Sequence, residues 1–193
     1  MYLFKSGILL FMVGLSVADI AFEFKKAEIV PDVITKAPTE EVEVEYGNKE
    51  VKFGEEWTPT QVKNAPEIDY EDDENAFYTL MMTDPDAPSR TNPTYREFLH
   101  WLVGNIPGDH ISKGKILAPY VGSGPPKGSG LHRYVFLVYK QPGQINFEEF
   151  QLTSNGKEGR RKFSAKNFSE KYQLGDPIAG NMFQAQWDES VPQ

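Results

Sequence analysis

Two of the chain's three histidines, His100 and His132, sit inside strand-like apolar runs. One lies downstream of Asp84-Pro85-Asp86-Ala87-Pro88. The other follows a loop that holds Gly122, Gly124, Pro125, Pro126, Gly128 and Gly130. An imidazole titrates near neutral pH, and each ring nitrogen can donate or accept. Nearby carboxylates can fix its orientation and shift its charge. Glycines let backbone N–H groups approach an anion, while prolines stiffen the chain and remove donors. These residue types suggest a small polar pocket. Asp84 and Asp86 share one direction if the strand continues through Pro85. The Asp-Pro and Ala-Pro steps of that segment are places where tight loops use a cis bond.

Catalysis is the weaker reading of the same residues. Gly122-Ser123-Gly124 does not fit the Gly-x-Ser-x-Gly nucleophile elbow. Lys127 is not followed by Ser or Thr, so the loop is not a Walker loop. His100 and His132 lack metal-ligand spacing. Cys 0 removes disulfides, thiolate ligands and a cysteine nucleophile. No enzymatic activity, cofactor or metal is expected.

The elements that must position these groups read mainly as strands. Residues 41–53 alternate around Gly47-Asn48 and predict a hairpin with one wet face. Residues 64–75 carry Pro66 and an acidic cluster, and read as an exposed loop; the spacing of a calcium-binding EF-hand is absent. Residues 76–83, 98–103 and 131–139 predict strands buried on both faces. Along 98–103, Phe98, His100 and Leu102 fall on one face, opposite Leu99, Trp101 and Val103. Residues 164–174 predict a helix capped by Ser164 and stopped at Gly175, and 181–187 a last strand. Many strands with few helices make a mainly β, sandwich-like domain.

A net charge of -8 argues against nucleic acid as the principal partner, because that affinity comes from Lys and Arg on phosphates. The basic spot at 157–162 reads as a solvated loop. Residues 1–18 combine Lys5, an apolar run shorter than the ~20 residues of a spanning helix, and small residues Ser16 and Ala18. They read as a secretory signal peptide cleaved after Ala18, with Ala21 as the second choice. Residues 19–193 are then a single secreted, extracellular domain without a transmembrane span. In a secreted chain Asn167-Phe168-Ser169 is a glycosylation candidate at Asn167.

Three blocks closely resemble the phosphatidylethanolamine-binding proteins, also called Raf kinase inhibitor proteins. They are Asp84-Pro85-Asp86-Ala87-Pro88-Ser89, the run Tyr95 to Val103, and the run Tyr120 to Phe136. The hairpin near Tyr46 and the tail from Leu174 to Trp187 match too, so the resemblance covers nearly all of 22–192. It implies a β-sandwich with a few short peripheral helices and a pocket for phospholipid headgroups or other small phosphate-like anions. Carried onto this sequence, the ligand-binding residues are Asp84, Asp86, Pro88, His100, Gly124, Pro125, His132 and Tyr134. His100 and His132 would donate to phosphate oxygens, more strongly when protonated. Affinity would then rise as pH falls through roughly 6.5. Backbone N–H groups near Gly124 would add donors. Asp84 and Asp86 would orient the imidazoles, raise their pKa or meet an ammonium. Tyr134 would supply a hydroxyl and a wall.

The expected function is non-catalytic binding, phosphatidylethanolamine included, by a monomeric secreted carrier or signalling modulator. The alternatives are a secreted serine protease inhibitor and an odorant- or pheromone-type carrier. Two departures bear on the pocket. Phe98 stands where the family often has tryptophan. Many animal members also continue into a C-terminal helix with a tyrosine near the pocket mouth, whereas this sequence ends at Gln193, so a more open mouth is expected.

Overall fold

The computed structural model describes residues 17–147, 152 and 158–192. Its elements run α1 (Val17–Lys26), β1 (Glu40–Glu41), β2 (Glu43–Tyr46), β3 (Lys49–Glu50), β4 (Glu67–Asp69) and β5 (Phe77–Asp84). Then come β6 (Phe98–Pro107), a short 3-10 turn, β7 (Lys115–Ala118), β8 (His132–Lys140), α2 (Ala165–Lys171) and β9 (Ala179–Ala185). A six-stranded sheet has the order β1-β9-β8-β5-β6-β7, and a three-stranded sheet the order β3-β2-β4. The large sheet is mixed, because β1 runs parallel to β9 while its other pairs are antiparallel.

Alternation in the strands explains the layers. On β8, Tyr134, Phe136 and Val138 join Val44, Trp57, Leu80 and Phe183 in the core between the two sheets. Val135, Leu137 and Tyr139 point the other way, into a second core with Phe24, Met81, Leu99 and Phe168 beneath α1 and α2. The large sheet is therefore covered on both faces, which is why its inner strands carry no polar stripe. Ser164 caps α2 by accepting from the Asn167 N–H (3.2 Å). The helix closes at Lys171, earlier than the sequence pattern suggests, and Gln173 and Gly175 turn left-handed beyond it (φ 54° and 73°).

Several elements differ from the sequence reading. The stretch 64–75 is not all loop: β4 pairs with β2, setting Ile68 opposite Val44, and Ile68 packs on the inter-sheet core. Helix α1 overlaps the end of the apolar N-terminal segment, while 1–16 lie outside the described residues. β6 does not alternate cleanly. Met82 pairs with Trp101 and Thr83 with Leu99, so His100 is the extra residue of a β-bulge. Consequently Leu99 and Leu102 share one core while Trp101 and Val103 share the other. Of the expected face of Phe98, His100 and Leu102, Phe98 and His100 stay together, with ring centroids 5.0 Å apart, while Leu102 turns into the core beneath the helices.

Candidate functional site

Asp84, Pro88, His100, Gly124, Pro125, His132 and Tyr134 line one cavity of about 200 Å³. Each arrives for a local reason. Asp84 is the last residue of β5 and His132 the first of β8, two paired strands that bring carboxylate and ring to the same end of the sheet. The bulge turns His100 toward the same opening. Arg160, fully buried, holds that bulge: its guanidinium donates to Leu99 O (2.9 Å), His100 O (3.3 Å) and Pro119 O (2.8 Å). The Ala87–Pro88 bond is cis. Gly122 is needed for packing, since a Cβ there would meet Val62 O at 2.7 Å.

The histidines have distinct partners. His100 Nδ1 lies 2.8 Å from Val121 O. A carbonyl only accepts, so Nδ1 carries the proton, and Nε2 is the nitrogen left for a ligand. Burial pushes the His100 imidazole below its ordinary value, against the opposing pull of Asp84. A neutral His100 therefore offers Nε2 as an acceptor, suited to an ammonium or a protonated phosphate. It becomes a donor to an anion only on taking a second proton. His132 Nδ1 donates to Asp84 Oδ2 (2.8 Å), and its Nε2 lies 2.9 Å from Ser129 Oγ. Ser129 Oγ also reaches Pro126 O (2.7 Å). Gly128 and Gly130, both at φ 80°, let the loop fold tightly around it.

Tyr134 stands between the rings. His100 meets it edge-on at 5.0 Å, and Phe183 stacks on it at 5.0 Å. Burial, reinforced by Asp84, drives the Tyr134 hydroxyl well above its ordinary range, so it remains a proton donor.

Asp86 does not line the cavity. Its backbone N–H donates to Asp84 Oδ1 (2.7 Å), and its carboxylate turns away to Arg133. Arg133 donates to it from the backbone N (2.9 Å), Nε (2.9 Å) and Nη2 (2.6 Å), and also bonds Asp32 (3.0 Å). The turn at Pro85 separates the two carboxylates, so the shared direction expected from alternation is not found. Asp84 orients an imidazole, while Asp86 is held in an ion pair behind the site.

Sequence reasoning missed Tyr95 and Arg161, which complete the rim, and Ser129. The basic stretch at 157–162 is not simply solvated: Arg160 is buried and Arg161 lines the cavity. Beside them, Glu97 is buried and accepts from the Ala165 N–H (3.0 Å), tying β6 to α2. Burial pushes its carboxyl up to about 7. Among the described residues there is no cluster of His, Cys, Asp and Glu able to hold a metal.

The fold is thus a β-sandwich with a histidine-lined cavity at the carboxyl end of β5. The family described as phosphatidylethanolamine-binding protein matches residues 33–184, and the chain belongs to it. A Drosophila melanogaster protein, "Putative odorant-binding protein A5", is 42% identical over 170 residues, covering 88% of this chain and 81% of that one. A carboxypeptidase Y inhibitor solved with its cognate proteinase superposes with a TM-score of 0.77 at 27% identity, covering 92% and 98% of the two chains. The phosphatidylethanolamine-binding protein of Plasmodium vivax gives 0.74 at 26% identity, covering 91% and 99%.

Proposed function

We propose that the protein binds a phospholipid headgroup, or a small phosphate-like anion, in this cavity without turning it over. The observation that carries the reading is the pair of buried histidines lining one opening: His100 is fixed through Nδ1 to Val121 O with Nε2 left over, and His132 is fixed through Nδ1 to Asp84 and Nε2 to Ser129. Rings fixed in this way are prearranged for a ligand and pay little ordering entropy on binding. Asp84 is the carboxylate lining the cavity among the described residues, and it suits the ammonium of an ethanolamine headgroup. The apolar walls from Pro88, Phe98 and Pro125 fit the first carbons beyond a phosphate. Titration with phosphoethanolamine, followed by the chemical shifts of His100 and His132, tests the reading. Unmoved histidine signals at saturating ligand refute it.

The protein is proposed to act outside the cell. The signal-like segment lies mostly outside the described residues, but the fold bears on its cleavage point. Ile20 is buried in the core, so cleavage after Ala18 keeps it and cleavage after Ala21 discards it. The secreted chain would thus start at Asp19. Among the described residues no helix is long and apolar enough to cross a membrane. Asn167 is exposed on α2 and open to a glycan, which intact-mass measurement of secreted protein would detect.

Two further readings rest on the relatives. The Drosophila relative's name favours carriage of an odorant-type ligand, for which the same cavity serves. The inhibitor solved with its proteinase favours protease inhibition. A panel of serine proteases, together with carboxypeptidase, assayed against the pure protein separates inhibition from carriage.

A further inference from the structure

The cavity has an inside and an outside of different character. Inside are Asp84, His132 and His100, nearly sealed from water. At the rim is Arg161, exposed, its guanidinium carbon 3.9 Å from the centre of the Tyr95 ring. Tyr95 and Arg161 both line the opening, and Arg161 is the sole Lys or Arg on that lining among the described residues. The other nearby guanidiniums are committed elsewhere: Arg160 to three carbonyls, Arg133 to Asp86 and Asp32. No carboxylate among the described residues forms an ion pair with Arg161. It also borders a shallow groove lined by Lys162.

A guanidinium resting flat on an aromatic face is held in place while its N–H fork stays free. That fork matches a carboxylate in bidentate fashion. We infer that Arg161, mounted on Tyr95, selects headgroups that carry a carboxylate in addition to their phosphate. The phosphate would enter toward the histidines and the second anion would stop at the rim. This inference rests on the headgroup-binding reading and adds the class of headgroup: phosphoserine-like rather than phosphoethanolamine-like. The same chemistry is found in an anionic membrane lipid and in a soluble phosphate ester.

The test uses a matched pair of ligands. O-phosphoserine and O-phosphoethanolamine share a phosphate and an ammonium and differ by one carboxylate. Calorimetric titration of the wild-type protein should give tighter binding of O-phosphoserine. Arg161→Met should weaken O-phosphoserine by roughly five- to tenfold, the scale of a charge-assisted pair at a partly wet site, and change O-phosphoethanolamine by less than about threefold. Because Arg161 is exposed, the variant should unfold at the wild-type temperature. Equal affinities in the wild type, or a preference that survives Arg161→Met, overturn the assignment while leaving headgroup binding intact. Failure of the wild type to bind either ligand overturns the headgroup reading itself and the assignment with it. Co-sedimentation distinguishes the sources. Capture by vesicles containing phosphatidylserine but not by phosphatidylethanolamine-only vesicles, lost in Arg161→Met, identifies a lipid; binding of the soluble ester alone identifies a metabolite.

Discussion

His132 and Asp84 form a hydrogen bond of 2.8 Å in which the two side chains are only 1% and 4% exposed. The carboxylate fixes the ring, and its other oxygen closes the turn to Asp86 (2.7 Å). Asp84→Ala would strand a buried imidazole N–H and open that turn, a loss of about 2 kcal/mol. Asp84→Asn keeps an acceptor oxygen and should lose markedly less. Urea unfolding of both variants measures the difference, and equal midpoints would show that the contact does not orient the ring.

The lowered pKa of His100 moves the expected pH dependence of binding. The ring stays neutral down through its ordinary value, so affinity for an anion should be flat above about pH 6.5 and rise only below it. Glycerophosphoethanolamine is the suitable ligand, because a monoester phosphate itself titrates near about pH 6. His100→Gln should abolish the acid-side rise. A rise centred above pH 6.5 in the wild type would contradict the burial argument.

Glu97 makes stability depend on pH in the opposite sense from an ordinary salt-bridged carboxylate. Its folded pKa, about 7, lies above the ordinary 4.5. Between these values the folded state holds a proton that the unfolded state has released. The contribution is therefore complete below about pH 4.5 and is lost as pH rises through about 7. Glu97→Gln removes it, so the wild-type advantage over the variant should shrink by on the order of 2–3 kcal/mol across that window. Denaturation midpoints of the two proteins at several pH values give the curve, and a constant difference would show that Glu97 is ionised throughout.

Arg133→Met leaves Asp86 buried at 1% exposure without its cation. Removing one member of such a pair costs about 3–5 kcal/mol. Asp32 would also lose a partner at 3.0 Å, although Arg96 still pairs with it. A thermal midpoint within a few degrees of wild type would mean that water repairs the gap.

What could be read in the sequence followed from two-fold alternation. His132, Tyr134, Phe136 and Val138 lie on one face of β8 as the pattern requires, because nothing interrupts the ladder. The bulge at His100 was not legible. An extra residue in a strand changes which side chains share a face without changing any residue type, and what stabilises it is Arg160, 60 positions further along the chain than the His100 whose carbonyl it bonds. Asp84 and Asp86 share a direction only if the strand continues through Pro85, and residue types alone do not show that it turns there. Their partners, His132 and Arg133, are adjacent in sequence but project to opposite faces of β8. β4 escaped notice because Ile68 sits between acidic residues, and only pairing with β2 makes that stretch a strand. Arg161 was hidden in a basic run, a composition that more often signals solvation than a binding rim.

The margins of the large sheet carry a separate consequence. One edge is β1, two residues long and made of Glu40 and Glu41. The other is β7, four residues long and opened by Lys115. Where β7 stops short, the backbone of 160–163 pairs with Glu97 and Leu99 and masks the start of β6. Free strand margins are templates for edge-on association, and short, charged or covered ones resist it. A protein built this way should stay dispersed even at high concentration, because its sheet offers neighbouring copies little free margin to pair with.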